Sequence, residues 1–215
     1  MSNSTKIARL GGYATLGMAL CYLSMFIIFF VLISVPAGLD TLGMIEFFQE
    51  GQLLFSISYS LGYLVFGILL AITLQSLQHT LPVENSALAS LADRFGSTWV
   101  MLMMATGMTY LIGMDRLIHL VSIDQVQAQA LYHSLGLITN ALGGGIELVG
   151  GLWVLLLSIA GLKQNWLPKT LHLLGLLIGC LGILTVMHTV PYLKDAFGLL
   201  QFIWFIWLGV LLLRH

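Results

Sequence analysis

Charge is what this sequence most lacks. Asp, Glu, Lys and Arg make up 8% of its 215 residues, and the mean hydropathy is +0.98. A soluble domain carries about 25% charged residues, so an ordinary soluble fold is excluded. Cysteine is scarce as well. Cys21 and Cys180 each lie inside an apolar run, which argues against a disulfide framework and against a paired-cysteine zinc site. There is no basic excess either. The formal net charge is −1, so the basic face that nucleic-acid binding needs is missing.

What is present is long apolar sequence. Six segments stand out, at 11–34, 52–75, 97–120, 130–161, 170–190 and 197–213. Each approaches or exceeds the roughly 17–25 residues that carry a helix across a bilayer. They predict an all-α polytopic membrane protein, a bundle of six transmembrane helices forming one domain over 1–215. The start "MSNSTKIARLGG" is polar and lightly basic, as a signal peptide begins. The apolar run behind it is too long for one and has no clear cleavage site, so it reads as a retained first helix. The stretch "LDTLGMIEFFQEGQ" (39–52) predicts a short interfacial helix capped by Asp40.

The cations set an orientation. With the N-terminus inside, Lys6, Arg9, Arg94, Lys163, Lys169 and Arg214 gather on the cytoplasmic side. Asp40, Glu46, Glu50, Asp124 and Asp195 fall on the other side, with Lys194 and, near its boundary, Arg116. Both termini are then cytoplasmic, in an inner membrane. Trp99 and Trp166 fall near the inner helix ends, where interfacial anchors belong.

Polar residues inside apolar runs are the functional candidates. In the fourth segment His133, Asn140 and Glu147 recur every seven residues, almost two helical turns, which puts them on one face. Glycines 136, 143, 144, 150 and 151 lie on or beside that face. Small residues permit close helix approach, so the stripe is expected to face the protein interior. Glu147 is the deepest charge. There it must be protonated, hydrogen-bonded or wet.

The third segment runs without a break into "GMDRLIHL" (113–120). Asp115 and His119 are four apart and share a face, also that of Met101, Met104 and Met108; Arg116 is rotated about 100° away. The bland reading is an interfacial helix end, with Arg116 reaching to headgroups. The sharper reading joins Asp115, His119, His133 and His188 in an outer-leaflet cluster. A carboxylate and imidazoles are the ligand set of zinc and of non-haem iron. Two of these histidines would also suit a b-type haem, and the methionine stripe Cu(I). In the second segment Ser56, Tyr59, Ser60 and Tyr63 fit one broad face that would line the same outer cavity.

The stretches "KIARLGGYATLG", "LYHSLGLI", "WLPKTLHLLGLLIGCLGIL" and "FIWFIWLGVLLLR" resemble a family of small bacterial multi-pass membrane proteins classed as a domain of unknown function. The likeness covers the first helix and the last three. It implies a bacterial inner-membrane bundle and transfers no catalytic residues. The residue types of the His and Asp cluster are also similar to those of alkaline-ceramidase-type membrane hydrolases, which gather Ser, Asp and three His around zinc. Their H-x-x-x-H pair is missing here.

Three function classes stand open. The first is an accessory or structural membrane subunit with a polar cluster near the outer face, contacting a membrane-protein partner or a second copy. The second is a metal- or haem-dependent membrane enzyme acting on a lipid-like substrate. The third is a small proton-linked carrier using Glu147.

Overall fold

The computed structural model describes residues 3–80, 87–144, 147–187, 190 and 192–214. Among them helix is the sole regular structure. That follows from the composition, because an apolar chain without water to bond must satisfy its backbone within each segment.

Helix α1 covers Asn3–Ile27 and runs on through a wider π-type turn, Ile28–Leu32. A loop with Pro36 and left-handed Gly38 (φ 81°) ends it. Helix α2, Thr41–Glu50, begins as the sequence predicts: the Asp40 carboxylate accepts the Gly43 N–H at 2.8 Å. After a corner at Gly51 the chain enters α3 (Gln52–Tyr59), a π-type turn (Ser60–Val65) and α4 (Phe66–Thr80), which form one bent passage.

Helix α5, Ala87–Val121, begins ten residues before the apolar run that suggested it. Asp124 caps α6, Gln125–Thr139, by accepting the Gln127 N–H at 3.0 Å. A third π-type turn, Asn140–Gly144, follows, and its Gly143 has φ 132°. Helix α7 is Leu148–Gln164. It ends on left-handed Asn165 (φ 51°), with the Trp166 N–H returning to the Gly161 carbonyl at 3.0 Å. Helix α8, Lys169–Leu184, and helix α9, Tyr192–Arg214, complete the chain.

Helices α1, α4, α5, α7, α8 and α9 pack in chain order, and α9 closes back on α1 to make a ring. Every neighbouring pair is antiparallel, as the residues facing one another show. Gly11 and Gly17 lie against Ser76 and Leu69, Gly151 and Gly179 against Gly182 and Leu155, and Gly12 and Gly198 against Leu213 and Tyr22. The ends of α1 and α9 that carry the chain termini therefore lie together, at what we call the terminal end. The other end carries α2. Helix α6 packs mainly on α5 and α2.

The core of the ring fills the terminal half. It is built on Trp153, Trp204, Phe66, Phe205 and Trp99, with Trp153 midway between Trp99 and Trp204 at centroid distances of 5.7 Å each. Trp99 (4% exposed) and Trp166 (6% exposed) are thus core residues and not interfacial anchors. The early start of α5 explains Trp99, because it falls three turns inside the helix. The outside of the ring is apolar too, with Leu20, Phe30, Leu53, Met101, Ile112 and Leu199 all more than half exposed. An apolar outer surface is what a membrane protein turns to lipid. Five helical stretches are long and apolar enough to cross a membrane: Ser4–Leu32, Gln52–Thr80, Ala87–Val121, Gln125–Gln164 and Tyr192–Arg214. Lys169–Leu184 is apolar but shorter.

Candidate functional site

The break between α6 and α7 decides where the polar residues point. The backbone of Gly143 leaves the helical region, so the seven-residue register that aligns His133, Asn140 and Glu147 on paper does not carry across it. His133 and Asn140 are exposed, while Glu147 is half-buried at the head of α7. The expectation of one buried stripe is corrected accordingly. Its glycines divide in the same way. Gly136 has open space around it, whereas a Cβ on Gly150 would sit 2.9 Å from the Trp99 ring, and one on Gly151 2.8 Å from Gly182 Cα.

Glu147 is held from both sides. Its backbone N–H donates to Thr185 Oγ1 at 2.9 Å, and that hydroxyl donates to the Gly182 carbonyl at 2.6 Å. The first free N–H of α7 is thereby satisfied from α8. The Glu147 carboxylate lies within electrostatic reach of Lys194, at the head of α9, and of the Tyr22 and Tyr63 phenols. Tyr22 rests on Phe66 and Phe205 at centroid distances of 5.6 and 5.9 Å. Tyr22 thereby joins the aromatic core. Gln201, seven residues beyond Lys194 and so on the same face of α9, is fully buried, and neither its Oε1 nor its Nε2 has a hydrogen-bond partner among the described residues.

Above Glu147, toward the α2 end, phenols follow one another. Tyr63 lies against Tyr110 with ring centroids 5.5 Å apart. Tyr110 stacks on Tyr59 with centroids 4.1 Å apart and planes 2° from parallel. Tyr59 and Tyr110 in turn wall a cavity of about 250 Å³, completed by Phe48, Met114, Tyr132, His133 and Gly136 among others. Of the residues of the second apolar segment expected to line an outer cavity, Tyr59 does so. Ser56, Ser60 and Tyr63 are half-buried beside it.

The polar stretch 113–120 at the end of α5 points the other way. Met114 and Leu117 are the buried side of that turn; Asp115, Arg116 and His119 are exposed. Met101 and Met108 are exposed on the same side. Asp115, His119, Met101 and Met108 thus lie on the outer face of the ring, while Met104, expected with them, is half-buried and packs against Gly67 of α4. Asp115, His119 and His133 do not come together. Among the described residues no group of three or more His, Cys, Asp or Glu is placed to hold a metal ion. His188 lies outside the described residues. His172, which reads as an interfacial helix start, is buried at 1% exposure with Nε2 bonded to the Trp166 carbonyl.

Sequence reasoning missed Tyr22, Tyr110, Tyr132, Lys194 and Gln201 as parts of a site. Each is alone in its segment's pattern and gains meaning only when separate helices meet. In comparisons with known proteins, no family model, curated protein or solved structure matches the chain.

Proposed function

We propose that this is a bacterial inner-membrane protein in which all six ring segments cross the bilayer, and that it works as a small proton-linked carrier centred on Glu147. The observation that carries the reading is a carboxylate at a break in a membrane helix, within electrostatic reach of Lys194 and two phenols. Interrupted helices with polar groups at membrane depth are how carriers build their sites, and irregular backbone is tolerated there only where protein or a cavity covers it. An ionisable group so placed is functional by default, because a purely structural contact is made more cheaply by an uncharged one. Positive charge at the terminal end puts the termini in the cytoplasm and the α2 end outside. Glu147 is then reached from outside and separated from the cytoplasm by the tryptophan core.

The test is chemical labelling. Dicyclohexylcarbodiimide enters lipid and adds to protonated carboxyls. Purified protein in lipid should be labelled at Glu147, as located by mass spectrometry, with labelling that falls as pH rises and disappears in E147Q. Intact protein in which Glu147 stays unlabelled across the pH range overturns the reading.

A second reading has its own observation. Asp115, Arg116 and His119 are polar residues on the outward face of α5, and a partner subunit or second copy seated there would satisfy them. The metal- or haem-dependent enzyme draws no comparable support from the described residues, which keep Asp115, His119 and His133 apart.

A further inference from the structure

The geometry points to a second binding site: the cavity of about 250 Å³ between α2, α3, α5 and α6 takes a small organic cation with an apolar body, such as a quaternary ammonium. This does not rest on Glu147 moving a proton.

The walls make the selection. Phe48, Tyr59, Tyr110 and Tyr132 supply four aromatic rings to one space, with Phe48 and Tyr132 6.1 Å apart on one side and the Tyr59–Tyr110 pair on the other. Ring faces and phenol oxygens present negative potential without formal charge, and that is the surface on which alkylated ammonium groups bind. Among the described residues no Lys, Arg, Asp or Glu lines the cavity, and His133 is the one side chain there that can take up a proton. An anion would find no permanent cation to pair with. A small metal ion would find no carboxylate to replace its water, and dehydrating it would be costly. A weakly hydrated organic cation meets neither obstacle.

Charge complementarity lies just outside. The α2 end carries Asp40, Glu46, Glu50, Asp115, Asp124 and Asp195 against Arg116 and Lys194. Such an end raises the local concentration of cations and speeds their arrival. The volume bounds the ligand, since drug-sized pockets run from about 300 to 1,000 Å³. This one suits a single ring or a small tetraalkylammonium. Gly136 lines it where a Cβ would meet nothing within 4 Å, and we take this open point as the mouth.

Phenyltrimethylammonium is the probe. Its neutral isostere is tert-butylbenzene, and benzenesulfonate is an anion of similar size. Equilibrium dialysis of the labelled cation against full-length protein in non-ionic detergent should show saturable binding that benzenesulfonate does not displace and tert-butylbenzene displaces poorly. G136L fills the mouth without a clash and should weaken binding at least tenfold. Y132L should weaken it about five- to tenfold and Y132F less than about twofold, because the ring face and not the hydroxyl carries the contact. E147Q should bind as the unsubstituted protein does. No saturable binding, equal displacement by tert-butylbenzene, or a folded G136L that binds normally each overturns the proposal. Loss of binding in E147Q with retention in G136L moves the cation to Glu147 and overturns it as well.

Discussion

Thr185 shows how much a single residue can matter in a chain with so few polar groups. Its hydroxyl accepts the Glu147 N–H at 2.9 Å and donates to the Gly182 carbonyl at 2.6 Å, tying α7 to α8 beside the candidate carboxylate. Thr185→Val keeps the shape and removes both bonds. The N–H left without a partner at the head of α7 costs about 1–3 kcal/mol. We expect a lower thermal midpoint in detergent, recovered by Thr185→Ser. A valine variant as stable as the parent would show that water replaces the hydroxyl. At this scale the sequence is a good guide to which residues matter and a poor one to where they point. Glu147 is recognisable as a charge deep in an apolar run. Asp115 and His119 are recognisable as sharing a face with Met101 and Met108, yet nothing in the spacing says whether that face is inside or outside. In a membrane protein both surfaces are apolar, so hydrophobic periodicity loses the sign it has in water.

Among elements, the contrast between two glycines is the clearest. Gly151 faces backbone: an added Cβ would stand 2.8 Å from Gly182 Cα and 3.0 Å from the Gly179 carbonyl oxygen. Backbone cannot move aside as a side chain can, so G151L must push α7 from α8. A loss of about 1–3 kcal/mol, or failure to fold, is expected. Gly136, on α6, faces open space, and G136L should keep or raise the thermal midpoint, since leucine is the better helix former by several tenths of a kcal/mol. Scanning fluorimetry of the two variants checks the pair; similar midpoints would refute the packing described for α7 and α8. Gly175, Gly179 and Gly182 of α8 are a close-approach surface against α7. The cap of α2 at Asp40 was legible, because capping is local chemistry. Less legible were the three π-type turns and the turn of backbone at Gly143, which tertiary packing selects and no residue pattern announces. Helix α5 also outruns its apolar segment, because a helix continues into water at little cost once started.

For the whole molecule, parity carries the argument. Six ring segments joined in chain order by short connections alternate in direction, and the last meets the first. An alternating ring can close antiparallel only with an even number of members. The facing of Gly12 with Leu213 and of Gly198 with Tyr22 shows that α1 and α9 are antiparallel. Five crossings would have made them parallel. Helix α8 is the member in question, because its 16 residues span about 24 Å, less than the roughly 30 Å of bilayer hydrocarbon. Its pairing along α7, with Gly175 against Ser158 and Gly182 against Gly151, supports the proposal that it crosses alongside that helix. Local thinning of the bilayer accommodates a short helix at a fraction of a kcal/mol per Å. Reporter fusions after Asp124 and after Met187 should therefore register on one side, and fusions after Lys163 and Arg214 on the other. In the orientation proposed from the charge bias the second pair is cytoplasmic. A Met187 fusion on the Lys163 side would mean that α8 returns without crossing. The ring as a membrane structure, and the proposed outward access to Glu147 with it, would then fail together.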